Sequence, residues 1–224
     1  SALGRTPPAI GEGIDVMRLP LSQAGHLPGY IYTSPEIYQL EKEKIFMKDW
    51  LCVARAEELE KPGDFMTHDV MGDPIVIARD EDGELNAFSN LCRHRGVEVA
   101  EGAGNAREFM CPYHNWLYDL KGRLIGAPFM KKSEGFEVKN CRLHPLLVDT
   151  WAGWVFVNFD TRAGPLADFV APFEKRFAFL KQETLRVAER LVYELECNWK
   201  FVAENLVDLY HVCIVHKDTF GKFL

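Results

Sequence analysis

Apolar and polar positions along the chain fall into three regimes. The first is helical: from Ser34 to Lys48, Ile37, Leu40, Lys44 and Phe46 keep roughly one face, Ser34 stands at the N-cap and Pro35 suits the first turn. The second runs from Trp50 to Phe159 and is made of short β-rich runs: Trp50–Ala54, Phe65–His68, Pro74–Ala78, Leu85–Ser89, Trp116–Tyr118, Leu146–Thr150 and Trp154–Asn158. Turn residues punctuate them. Asp80–Gly83 reads as a hairpin turn, Asp119–Gly122 repeats its logic, and Ala152-Gly153 separates the last two runs. Many short strands at this spacing predict a compact antiparallel β domain. In the third regime Leu166–Leu180 predicts a helix, Arg186–Glu196 a strand and Trp199–His216 one further helix.

The chain therefore divides into an arm and helix over 1–45, a β domain over 46–165 and a second region over 166–224, an α+β organisation with the boundary between residues 160 and 180. The second region is too short to close a core of its own, so the domain it begins is incomplete within these residues. Residues 1–13 hold Pro7 and Pro8 and no apolar stretch, and read as a loose arm rather than a signal peptide.

Composition adds limits. A formal net charge of −7 over 224 residues opposes binding to a nucleic-acid backbone or an anionic membrane surface. No apolar run approaches the roughly 20 residues that span a bilayer. Of six cysteines, Cys52, Cys141, Cys197 and Cys213 are scattered through apparent core segments and read as buried free thiols of a reducing, cytoplasmic setting. Cys92 and Cys111 differ: each shares a short polar loop with a histidine.

Those loops are Cys92-Arg-His94-Arg-Gly96 and Cys111-Pro-Tyr-His114, with 16 residues between His94 and Cys111. Each offers one thiolate and one imidazole. A Rieske 2Fe–2S centre needs that symmetry, two cysteines on one iron and two histidines on the other. Neutral imidazoles leave the cluster less negative and easier to reduce, at roughly −150 to +300 mV against about −400 mV for all-cysteine plant-type clusters. Gly96 and Pro112 suit tight loops, and Tyr113 and Trp116 would exclude water. The rival is a structural zinc, which accepts the same donors but usually takes Cys pairs and His pairs from separate elements.

A second constellation lies downstream. On a helix Asp208 and His211 are neighbours at i, i+3, with His216 near the helix end. Two histidines and a carboxylate hold a ferrous ion with open positions for oxygen and substrate. By spacing alone, two histidines five apart are more often packing or surface residues. The remaining histidines, His26, His68 and His144, show no partner pattern, and Arg93 and Arg95 either meet carboxylates across a subunit contact or solvate their loop. Trp151, Trp154, Phe156 and Phe159 alternate as in a half-buried strand and read as β-domain core.

The pattern C-x-H-R-G…C-x-Y-H-x-W, followed by E-N-x-x-D-x-Y-H-x-x-x-x-H, resembles the large (α) subunits of the Rieske non-haem iron oxygenases from about Tyr30 onward. Respiratory Rieske proteins carry an extra cysteine in each loop, where this chain has Val97 and Tyr113. Asn115 stands where glycine usually follows the second histidine. The resemblance implies an antiparallel β Rieske domain followed by the start of a helix-grip (START-like) catalytic domain. It implies a 2Fe–2S cluster on Cys92, His94, Cys111 and His114, and a mononuclear Fe(II) on His211 and His216, whose third ligand, an aspartate, lies beyond Leu224. Asp208 would be the bridging acid between His211 and His114 of a neighbouring subunit in a homotrimer or α3β3 assembly. The implied activity is that of a terminal oxygenase using O2 on a small organic substrate. Dihydroxylation of an aromatic ring to a cis-dihydrodiol is the common outcome; monooxygenation or demethylation, including of quaternary amines, is the alternative. A Rieske electron carrier without oxygenase activity is the rival from another class. No dinucleotide fingerprint is present, so electrons would come from a separate NAD(P)H reductase, with or without a ferredoxin.

Overall fold

Strand β3 (Asp73–Arg79) sets the plan of the β domain, because four successive residues, Ile75, Val76, Ile77 and Ala78, are fully buried. A strand buries consecutive residues only when both faces are covered. Ile75 and Ile77 enter one core with Leu59, Ala87, Leu146, Val155 and Val157. Val76 and Ala78 enter another with Phe88, Phe109, Tyr118, Leu143 and the two candidate cysteines, Cys92 and Cys111. Each large aliphatic side chain so placed stabilises the fold by about 1.5–3 kcal/mol.

The computed structural model describes residues 10–223; residues 1–9, which include Pro7 and Pro8 of the expected arm, lie outside the described residues. The elements divide between two compact units, one of residues 1–40 with 190–224 and one of residues 41–189.

The larger unit is built on a seven-stranded antiparallel sheet and a three-stranded one. The strands in chain order are β1 (Leu51–Arg55), β2 (Asp64–Val70), β3, β4 (Leu85–Ser89), β5 (Ala103–Asn105), β6 (Glu108–Met110), β7 (Leu117–Asp119), β8 (Leu124–Gly126), β9 (Pro145–Trp151) and β10 (Trp154–Asn158). The large sheet runs β1-β10-β9-β4-β3-β2-β5 and the small one β6-β7-β8. The two expected aspartate turns are built alike. In each, the carboxylate accepts the N–H groups two and four residues on: Asp82 and Glu84 for Asp80, at 2.9 and 3.0 Å, and Lys121 and Arg123 for Asp119, at 3.0 and 2.8 Å. Helix Leu166–Phe177 packs Leu166 and Val170 on Trp50 and Phe156, with Trp151 and Trp154 at the edge. It thus joins the β domain and not the second region in which the sequence placed it. Buried Arg55 ties down the chain that follows, donating to the carbonyls of Gln182 and Leu185 at 3.0 and 2.9 Å beneath the Trp154 ring.

In the smaller unit the single turn α1 (Tyr30–Thr33) meets the helix Trp199–Val207. Tyr32 stacks on Phe201 at 4.4 Å and donates to Glu204 at 2.7 Å, while the Asn198 side chain accepts the Lys200 N–H at 3.0 Å as N-cap.

Four further expectations need correction. Helix Ser34–Lys48 is α2 (Pro35–Glu41), with Ser34 Oγ accepting the Ile37 N–H, followed by a π-helical turn over Lys42–Phe46. Arg186–Glu196 forms no strand, because no strand lies beside it among the described residues. The helix expected through His216 breaks into α4 (Trp199–Val207) and α5 (Val212–Val215); with Leu166–Phe177 as α3, these complete the α-helices among the described residues. The break comes at Asp208, whose carboxylate accepts the Tyr210 N–H at 2.8 Å and competes with the helical pattern. Finally, Cys52, Cys197 and Cys213 are exposed and Cys141 is half-buried, so these four are not core thiols, although all six cysteines are free.

Candidate metal centres

The two Cys–His loops fold as copies of one unit. In loop 1 the Cys92 N–H donates to the Val97 carbonyl at 2.8 Å and the Gly96 N–H returns to the Cys92 carbonyl at 2.9 Å. In loop 2 the Cys111 N–H donates to the Trp116 carbonyl at 2.8 Å and the Asn115 N–H returns to Cys111 at 3.0 Å. The fourth residue after each cysteine is left-handed, Gly96 at φ 72° and Asn115 at φ 56°. Asparagine is among the few residues that visit this region readily, so Asn115 does the work of a glycine.

Both cysteines are buried in the core below, at 4% and 2% exposure, while His94 and His114 are exposed above. The imidazoles face one another at 4.5 Å between ring centroids; His94 stacks on Trp116 at 4.9 Å and Tyr113 lies 3.9 Å from His114. Trp116 is buried and shields its histidine, whereas Tyr113 is itself 55% exposed and covers its ring from the solvent side. Burial pushes the Cys111 thiol up, and the backbone N–H groups of Tyr113 and His114 pull it the other way. Desolvation, then the neighbouring His94 and Arg95, hold the His114 ring below its ordinary value and favour the neutral, ligating form.

Two residues that the sequence did not single out complete the site. The Tyr118 hydroxyl accepts the Arg93 N–H at 3.0 Å and lies 3.2 Å from Cys92 Sγ, so its own proton is free for the sulfur. Burial, then this cysteine contact, raises the Tyr118 pKa far above its usual value and keeps the donor protonated. Asn90, fully buried, accepts the Val99 and Ala100 N–H groups at 3.1 and 3.0 Å and donates to Glu98 and the Ala100 carbonyl at 3.0 and 2.8 Å, pinning the return of loop 1. A lone Tyr or Asn carries no spacing signal; both roles arise from register across the fold.

In the other unit His211 Nδ1 lies 3.1 Å from Asp208 Oδ2, which leaves Nε2 as the free ligating atom. The His216 ring stands 5.3 Å from that of His211. The Tyr210 N–H, then His211, holds the Asp208 carboxyl below its usual value, so it is an anion beside the ring. Gly221 was also missed: a Cβ there would lie 2.7 Å from the carbonyl oxygens of both Val212 and His216.

Among the described residues, no three His, Cys, Asp or Glu side chains converge on a point that one ion could occupy. A structural zinc would gather all four loop donors around one centre at roughly 2.0–2.3 Å. Two irons instead spread the same donors over two centres, and the layering of sulfurs below imidazoles fits that division.

Residues 49–148 match the Rieske [2Fe-2S] domain and residues 182–223 the ring hydroxylating alpha subunit (catalytic domain). The chain belongs to the Rieske oxygenase α-subunit family. The chain is 40% identical to the carnitine monooxygenase oxygenase subunit of Acinetobacter pittii over 84% of its own length and 52% of that protein. It is 35% identical to the benzene 1,2-dioxygenase subunit alpha of Pseudomonas putida over 84% of its length and 43% of that protein. Among solved structures it is similar to a quaternary ammonium Rieske monooxygenase whose structure bears on carnitine oxidation and inter-subunit electron transfer, with TM-score 0.78 and 39% identity, covering 83% of this chain and 52% of that one. The chain thus spans about half the length of the curated relatives it matches. The Rieske domain of such an α subunit carries a 2Fe–2S cluster, and the family uses a mononuclear iron. No described helix is long and apolar enough to cross a membrane.

Proposed function

We propose that this chain is the redox and iron-binding portion of a terminal oxygenase, in which Cys92, His94, Cys111 and His114 hold the 2Fe–2S cluster and His211 and His216 hold the mononuclear iron. The observation that carries the reading is the pairing of two matched Cys–His loops with a second histidine pair oriented by Asp208. An electron carrier has no use for that second pair. When bound, the cluster supplies one-electron transfer and the ferrous ion supplies O2 activation at open coordination positions. Tyr118, by donating to Cys92 Sγ, would favour the more negative, reduced form of a bound cluster, and Trp116 keeps water from one face of His94. Asp208 holds His211 in the tautomer that ligates through Nε2 and is the acid that couples the two centres between subunits of a homotrimer or α3β3 assembly. A separate NAD(P)H reductase, with or without a ferredoxin, is the electron source.

The substrate is a small organic molecule, and an aromatic ring converted to a cis-dihydrodiol is one reading. A second, monooxygenation or demethylation of a quaternary amine, is supported by the higher identity to a carnitine monooxygenase subunit than to a benzene dioxygenase subunit, 40% against 35%. Product analysis of the full-length enzyme with benzene and with L-carnitine separates them. His211→Ala is expected to keep acid-labile sulfide and abolish turnover of either; retained turnover would remove His211 from the iron site, and loss of sulfide would place it at the cluster instead.

A further inference from the structure

Among the described residues, helix α4 buries none of its nine side chains. A helix this short is marginal by propensity alone, so its place is set by what touches it. One residue of α1 holds it along its length. The Tyr32 carbonyl accepts from Asn198 Nδ2 at 3.1 Å, its ring stacks on Phe201 at 4.4 Å, and its hydroxyl donates to Glu204 at 2.7 Å. Asn198, Phe201 and Glu204 follow at steps of three. Tyr32 therefore lies along the helix from its N-cap to its last turn, a rise of about 9 Å. The Glu204 contact, then burial, raises the Tyr32 pKa and keeps the phenol a donor.

What lies past that turn gives the contact its consequence. The Glu204 carbonyl accepts the Asp208 N–H at 2.9 Å, and Asp208 is the C-cap at which α4 ends. The Asp208 carboxylate then divides its work: Oδ1 takes the Tyr210 N–H at 2.8 Å and Oδ2 faces His211 Nδ1 at 3.1 Å. A short chain of bonds thus runs from the Tyr32 hydroxyl through Glu204 to the carboxylate that orients His211. Its members share one compact unit, although Tyr32 and Glu204 are 172 positions apart. A carboxylate that orients a ligand is sensitive to small displacements, because the geometry of the centre follows where it stands.

We infer that Tyr32 is a positioning residue for the oxygenase reaction: through its bond to Glu204 it fixes the end of α4 and so the place of Asp208. The inference rests on the coupling role proposed above for Asp208. Tyr32 takes no part in the electron's passage itself. It keeps its proton, and no bond at it forms or breaks.

The test uses the full-length holoenzyme and three variants. Tyr32→Phe keeps the stack and removes the donor, Glu204→Ala removes the acceptor, and Glu204→Gln keeps an acceptor oxygen. Oxidation of the reduced cluster by O2 in a single turnover is followed by stopped flow, with L-carnitine and separately with benzene. The EPR signal of the ferrous site with nitric oxide is recorded alongside. Tyr32→Phe and Glu204→Ala are each expected to slow cluster oxidation about tenfold and to change the splitting of the nitric oxide signal. Iron content, the EPR spectrum of the reduced cluster and its potential stay unchanged. Glu204→Gln stays near the wild type. The double variant Tyr32→Phe/Glu204→Ala is no slower than either single one, as the two ends of one bond require. A wild-type rate and nitric oxide signal in Tyr32→Phe overturn the inference. So do multiplied losses in the double variant, or slowing that comes only with lost iron, which marks a purely structural contact. Asp208→Asn separates the two readings: a wild-type rate there defeats the coupling role of Asp208 itself. A slow Asp208→Asn beside an unaffected Tyr32→Phe defeats only the positioning role.

Discussion

Tyr118 shows how one side chain sets the behaviour of a centre it does not ligate. Its hydroxyl accepts the Arg93 N–H, so its proton points at Cys92 Sγ. Reduction adds negative charge to the cluster, and a donor to sulfur stabilises the reduced state more than the oxidised one. Tyr118→Phe is therefore expected to keep the cluster and lower its potential by roughly 50 mV, a one-electron tenfold factor being about 59 mV. Voltammetry checks this, and an unshifted potential would mean that the hydroxyl points elsewhere. The candidate ligands stood out because a thiol and an imidazole two or three positions apart in each loop are rare and chemically specific. Tyr118 was not, since it lies 26 residues from Cys92 and is delivered by β7. Asn90 was hidden for the same reason, its four bonds closing on residues 8–10 positions away.

Among elements, short strands were readable wherever alternation met a turn residue, as in Leu85–Ser89 and Trp154–Asn158, which the structure reproduces to the residue. Strands β5, β6 and β8 have three residues each, too few to show a period, and β5 is Ala-Gly-Asn. Helix α4 stops where apolar periodicity continues, because Asp208 offers the backbone a local partner. Arg186–Glu196 shows the reverse. Its alternation is that of a strand, but a strand exists only in a pair. The turn after α5 brings Gly221 against the carbonyls of Val212 and His216. Gly221→Ala must displace the segment bearing His216, so ferrous-ion affinity is expected to fall about tenfold or more with cluster content unchanged. Metal titration of cluster-loaded protein reads this; equal affinity would show that the segment yields without moving the imidazole.

At the scale of the β domain, Lys48 before β1 and Asp160 after β10 close its ends with a 2.8 Å ion pair. Lys48, then the Arg162 N–H, lowers the Asp160 pKa to about 2 from 3.8. A carboxyl depressed in the folded state contributes stability that is present above its unfolded pKa and lost as pH falls through the folded one. Asp160→Asn is thus expected to lower the urea midpoint by a gap that is constant above about pH 5, narrows below pH 4 and closes near pH 2. A gap independent of pH would assign the loss to packing.

The twin loops carry one more consequence. Their turns are closed by backbone hydrogen bonds, by left-handed Gly96 and Asn115, and by the Asn90 amide, none of which requires a metal. The loops are therefore expected to keep their shape in the metal-free protein, sulfurs at the bottom and imidazoles at the mouth, and amide-exchange protection of the Gly96 and Asn115 N–H groups in apoprotein checks this. On that expectation maturation is the filling of a standing socket, and apoprotein should take up iron and sulfide again without refolding.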